Sequence, residues 1–228
     1  MFNKVTDVRR VRKYWAATLR SVRTKPAHIA LAVLVGIGLG IFSHESSSLP
    51  GGLRWLGNFG ALWVAIAFLV GRLISDVNRG AIAGAATLCV AAVVHYVPYR
   101  LAREGVGSDA LRWPVVLWLL VGIGVGVLFG ALGAAYGRRE ATVGLVGVAL
   151  LAATFAGEAF VLARTGHPRA VQIAVPLELA VAALLPIIFF RSWRERSKVF
   201  GITLLAVPLV VLALSAFMGV IHRVYPGI

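Results

Sequence analysis

Apolar residues gather into seven stretches separated by short polar connections: Pro26–Ser43, Asn58–Ile74, Gly80–Pro98, Trp113–Tyr136, Ala141–Ala163, Val171–Phe190 and Val199–Ile221. Each is near the ~20 residues that a helix needs to cross the hydrocarbon core of a bilayer. The pattern predicts an all-α, polytopic transmembrane helix bundle of about seven spans. Ahead of it, residues 1–25 place Phe2, Val5, Val8, Trp15, Leu19 and Val22 near helical spacing, with Arg9, Arg10, Lys13 and Arg20 on the remaining surface. This predicts an amphipathic N-terminal helix, so the chain divides into a basic cytoplasmic leader, 1–25, and a transmembrane domain, 26–228.

Composition agrees: 59% of residues are hydrophobic and 14% charged, and no tract remains for a separate soluble domain. A net charge of +14 would suggest nucleic-acid binding in a soluble protein. Here the distribution of the 23 basic residues gives another explanation. Lys4, Arg9, Arg10, Arg12, Lys13, Arg20, Arg23 and Lys25 precede the first span, and Arg72, Arg79, Arg138, Arg139, Arg191, Arg194, Arg196 and Lys198 occupy alternate connections. The opposite side holds only Arg54, Arg100, Arg103, Arg112, Arg164, Arg169 and Arg223. Positive charge is retained on the cytoplasmic side, so the expected location is the plasma (inner) membrane, N-terminus cytoplasmic and C-terminus outside. The leader lacks a convincing cleavage signal, and the first span is read as retained. Its charges suit anionic lipid headgroups or serve only as a topology signal; docking of a cytosolic partner is a third reading. No nucleic-acid partner is expected.

Glycine recurs at four-residue intervals, as Gly122, Gly126 and Gly130, with Gly133 and Gly137 beyond, and as the pairs Gly36 and Gly40, and Gly80 and Gly84; Ser215 and Gly219 repeat the spacing. Such spacing puts small residues on one helix face and lets backbones approach, within the bundle or between copies. Pro176, Pro186 and Pro208 each remove a backbone donor inside the last two stretches, where kinks are expected. The polar ends of alternate spans also allow a weak repeat of three hairpins plus a final helix.

Of nine Asp and Glu residues, only Glu158 and Glu178 fall well inside apolar stretches. A charge at membrane depth costs several kcal/mol, about 2.5–3.5 on insertion scales, so such residues face a bundle interior and mark a ligand, ion or proton position. The short link 164–169 makes their helices antiparallel neighbours, with both acids at similar depth. Two close carboxylates do not both ionise cheaply, so a shared proton, a cationic ligand or a metal would suit them. Alternatively Arg164 or Arg169 pairs with one acid, or backbone and Tyr groups satisfy it. His44, Glu45, His95 and Tyr96 map to the same outer ends and complete the candidate ligand-binding set. A metal could draw on these His and Glu side chains, but no HExxH or CxxC spacing supports one. Cys89, the sole cysteine, reads as a packing residue. With no GxSxG and no GxxxxGK, an enzyme is not expected, and no cofactor is assigned. No lysine lies within a span, so seven helices do not imply a retinal protein.

Gly57, Asn58, Phe59 and Gly60 followed by Trp63, the Arg112, Trp113, Pro114 element, the Gly126–Gly133 stretch and the Gly157, Glu158 pair together resemble an uncharacterised actinobacterial family of multi-pass membrane proteins built on a domain of unknown function. The resemblance implies architecture and no activity. In general style, compact glycine-rich bundles of this size also resemble the substrate-binding membrane subunits of vitamin importers. Two functions remain: a small transporter or membrane ligand-binding subunit whose outward-facing polar pocket recognises a cation, amine or proton; or a noncatalytic assembly or regulatory subunit of a larger membrane complex, contacting a membrane-protein partner through the leader or the Arg191–Lys198 connection.

Overall fold

The computed structural model describes residues 25–46, 48–49, 57, 59–74, 76–104, 112–138, 141–165 and 168–224. The predicted amphipathic leader helix lies outside these residues. Among the described residues, seven helices follow the seven apolar stretches: α1 Lys25–Ser46, α2 Gly60–Ile74, α3 Val77–Glu104, α4 Arg112–Gly137, α5 Ala141–Thr165, α6 Pro168–Phe189 and α7 Trp193–Val224. No strand occurs among the described residues. Among the described residues, six helices are long and apolar enough to cross a membrane. This is the construction of a multi-pass membrane protein.

The exception is α2. Its 15 residues extend only about 22 Å at 1.5 Å per residue, short of a ~30 Å hydrocarbon core. It is nonetheless central, with Ala61, Ala67 and Phe68 fully buried. The neighbours of a short, enclosed helix must satisfy the polar groups at its ends, because lipid cannot.

Glycine sets the packing of the first four helices. Gly84 of α3 faces the Gly126 carbonyl of α4, and Gly130 of α4 meets both the Gly80 carbonyl of α3 and Gly71 of α2. Gly133 abuts the Phe68 carbonyl of α2. On the other side of α3, a Cβ at Gly36 or Gly40 of α1 would lie 2.6 Å from the Thr87 carbonyl oxygen or 2.8 Å from that of Ala91. The four-residue intervals at these positions therefore serve packing within the bundle. Gly219 does not follow them: no neighbour lies within 4 Å of a Cβ built there.

The helices α5, α6 and α7 form a second group, with α5 packed against both α6 and α7 and α6 barely touching α7. A Cβ at Gly157 would lie 2.7 Å from the Val210 side chain of α7, and the Thr203 hydroxyl donates to the Ala149 carbonyl at 3.2 Å. The two groups meet where α5 packs on α4 and α2. The hairpin repeat does not describe the first pair, since α1 packs on α3 and has little contact with α2. Both α6 and α7 continue through their prolines.

Candidate functional site

Glu158 stands seven residues before the end of α5, about 10 Å in along the helix. Its side chain reaches across to the start of α2. One carboxylate oxygen accepts the Gly60 N–H at 2.9 Å and the other the Ala61 N–H at 2.6 Å. These amides open α2, have no intrahelical acceptor and carry the positive end of its dipole. A carboxylate is the fitting partner, and here it comes from a residue 98 positions away. A Cβ at Gly60 would lie 3.6 Å from both carboxylate oxygens, in ordinary contact, so the arrangement rests on the two amides and not on the missing side chain. Of the alternatives for Glu158, satisfaction by backbone groups is what the geometry provides. Arg164 points elsewhere, its guanidinium 5.3 Å from the centre of the Phe160 ring. The Arg169 and His167 side chains lie outside the described residues.

Glu178 differs. It sits ten residues into α6, about 15 Å along it, and is 1% exposed. No protein group among the described residues donates to either carboxylate oxygen. Glu158 is within electrostatic range of it, on the helix against which α6 packs. One is bound to a helix terminus and the other is enclosed without a donor.

One turn into α2, Trp63 carries the site toward α1 and α3. Its indole N–H is shared between the Ser43 hydroxyl and the Gly57 carbonyl, each at 3.1 Å. This fastens the chain entering α2 to the end of α1, where Ser43 and Ser46 are buried and the Ser46 hydroxyl donates to the Ser43 carbonyl at 2.9 Å. The Trp63 ring is 6.0 Å from that of His95, which lies 6.2 Å from His44 and 4.4 Å from Tyr96. Tyr96 stacks on Trp118 at 5.8 Å, and Trp118 meets Phe217 at 5.3 Å. A continuous aromatic row thus links α1, α2, α3, α4 and α7. Buried His95 Nδ1 has no partner among the described residues.

His44, His95 and Tyr96 are therefore brought together, while Glu45 is exposed at the end of α1. No three His, Cys, Asp or Glu side chains among the described residues gather closely enough to hold a metal ion. Cys89 is half-buried, its thiol 3.9 Å from the Leu119 carbonyl, as suits a packing position. Sequence reasoning missed Gly60, Ala61, Ser43 and the inward role of Trp63. The glycines flanking Asn58 and Phe59 were the available signal, but reading a span from Asn58 hid the helix start at Gly60.

At the opposite end, Arg72 of α2 lies 5.1 Å from the Tyr136 ring centre and 5.0 Å from that of Phe189. The Tyr136 hydroxyl donates to the Phe189 carbonyl at 2.7 Å. Arg196 Nε donates to the Phe190 carbonyl at 2.8 Å, and its Nη2 to that of Ile187 at 3.4 Å. The last carbonyls of α6 are thus satisfied by side chains of α4 and α7. Between α2 and α3, Asp76 caps α3: Oδ1 accepts the Arg79 N–H at 3.0 Å, and Arg138 approaches at 3.7 Å. The Arg79 amide, ahead of the nearby Arg79 and Arg138 charges, holds the Asp76 carboxyl below its ordinary value despite an opposing desolvation effect.

No curated protein and no solved structure matches this chain. A family model does, over residues 19–222, which include every helix and both acids apart from the last residues of α7. The chain belongs to DUF6518, a family of unknown function.

Proposed function

We propose that this multi-pass membrane protein is a small transporter or membrane ligand-binding subunit whose polar pocket takes a proton, or a small cation or amine, at Glu178. One observation carries the reading: Glu178 is enclosed, lacks a hydrogen-bond donor among the described residues, and lies within electrostatic range of Glu158. An ionised carboxylate in that position is costly unless a positive charge joins it. Glu158 already has two N–H donors, so the site separates the acids into a fixed anion and an acceptor. In this reading the N-terminus is cytoplasmic, the acids open to the outside, and the membrane is the plasma membrane. The aromatic row through Trp63 and His95 forms the neighbouring wall.

The test is native mass spectrometry of protein extracted in lipid particles from its own host, comparing wild type with Glu178→Gln. A small cationic species retained by wild type and absent from the variant is the expected result for a cation or amine; for a proton, the expected result is pH-dependent uptake in reconstituted vesicles that Glu178→Gln abolishes. A normally folded variant with unchanged ligand and uptake would sink the proposal. A stoichiometric protein partner retained by both, with no ligand, would favour the assembly-subunit reading. That alternative draws support from α7, which has little contact with α6 and leaves Leu204, Leu205, Leu209 and Leu212 more than half exposed.

A further inference from the structure

We infer that the α6–α7 turn and the first turns of α7 form a binding site for an anionic phospholipid. Arg191, Arg194 and Lys198 are exposed there, while Arg196 is turned toward the α6 carbonyls and Glu195 is half-buried. The outward face of this segment is therefore positive. Arg194 and Lys198 are four residues apart, neighbours on one helix face. The same row continues through Gly201 to Leu205, which is 78% exposed. No neighbour lies within 4 Å of a Cβ built at Gly201, so the row is open just past its last charge. The adjacent row begins at Trp193, 75% exposed, and reaches Leu204, 72% exposed.

Basic side chains with an exposed indole among them come first, and past Gly201 a leucine surface follows, the order along the helix that matches headgroup and then acyl chain. From Lys198 to Leu205 the rise is about 10 Å, enough to pass from headgroup level into hydrocarbon. The helix start adds a positive dipole end. Charge complementarity selects a phospholipid with net negative charge over a zwitterionic one. This site is separate from the carboxylate pair and does not rest on its proposed role.

The test uses the full chain in nanodiscs of equal phosphatidylglycerol and phosphatidylcholine, with retained lipids measured by native mass spectrometry. Each basic residue at an anionic surface contributes about fivefold, so wild type should retain phosphatidylglycerol over phosphatidylcholine by roughly tenfold or more. Arg191→Gln/Arg194→Gln/Lys198→Gln should bring the ratio close to parity. Arg191→Lys/Arg194→Lys should preserve it and show that charge, not loss of fold, is responsible. Arg9→Gln/Arg10→Gln/Lys13→Gln removes the same charge from the leader and should leave the preference in place. Loss of the preference in the leader variant alone, persistence in the α7 variant, or a lipid-free dimer held through α7 would each overturn the inference.

Discussion

Replacing Glu158 tests the central structural claim, that a carboxylate from α5 holds the start of α2. In Glu158→Ala both the Gly60 and Ala61 N–H groups lose their acceptor. Hydrogen bonds to charged groups contribute about 1.5–3 kcal/mol each in soluble proteins. Polar contacts within membranes average nearer 0.6 kcal/mol, because the unfolded chain in lipid also finds partners. Between these limits, the Ala variant should lose about 2–4 kcal/mol of stability. Glu158→Gln keeps one oxygen and turns an amide NH2 toward the second donor, so about half that loss is expected. Unfolding in mixed micelles measures the energies, and hydrogen exchange at Gly60 and Ala61 locates them. An Ala variant within ~0.5 kcal/mol of wild type, with unchanged exchange at those amides, would refute the account. Adding Glu178→Gln completes a cycle: near-additive effects mean that Glu178 carries no charge in the resting protein, whereas a coupling above ~0.5 kcal/mol means that it does.

Glu178→Met should raise stability by about 1–3 kcal/mol while removing the proposed ligand response, since an apolar side chain avoids enclosing a carboxyl without a donor; a less stable variant would show that the carboxyl is satisfied. Gly130→Ala drives a methyl into the Gly80 carbonyl and should cost about 1–3 kcal/mol, whereas Gly124→Ala, with nothing within 4 Å, should be neutral or up to about 1 kcal/mol stabilising; equal melting temperatures would contradict the packing scheme. Asp76→Ala should lower the melting temperature at neutral pH and Asp76→Asn much less, because Asn also caps a helix. The folded-state shift is downward, so the contribution of Asp76 is complete above the ordinary value of 3.8 and fades as pH falls through the lower folded value; a wild-type minus Ala difference that grows on acidification would reverse this sign.

The seven helices were legible because each apolar stretch is long enough to declare itself without reference to its neighbours. Interactions between stretches were less so. Four-residue glycine spacing announced close approach at Gly126 and Gly130, but the same spacing at Ser215 and Gly219 faces open space. Spacing describes one helix face and says nothing about what meets it. The acids were found because charge is conspicuous in an apolar run, and their difference was hidden because it depends on where α2 starts. An N–H made available by a helix end has no signature of its own when its acceptor is 98 positions away. The inward bond of Trp63 is hidden for a similar reason: an interfacial Trp and one donating to Ser43 have the same local sequence context.

The contacts between the two helix groups are arranged so that α6 is the element a ligand at Glu178 would act upon. Glu158 ties α5 to α2 at one end, and Tyr136 ties α4 to α6 at the other. Between these ties α6 packs chiefly on α5, with little support from α7. Charge gained or lost at Glu178 therefore bears on a helix held along α5 and tied at its far end through the Phe189 and Phe190 carbonyls. Tyr136→Phe removes the 2.7 Å bond to the Phe189 carbonyl while leaving the rings to pack against Phe68, Phe189 and Phe190. The expected stability loss is about 1 kcal/mol, that of one neutral hydrogen bond. Its local effect should be larger: amide exchange along the Phe189 half of α6 should accelerate several-fold while α1 and α3 stay unchanged. Uniform acceleration through the whole bundle would mean that α6 has no independent freedom, and that Glu178 acts on a body moving as one unit.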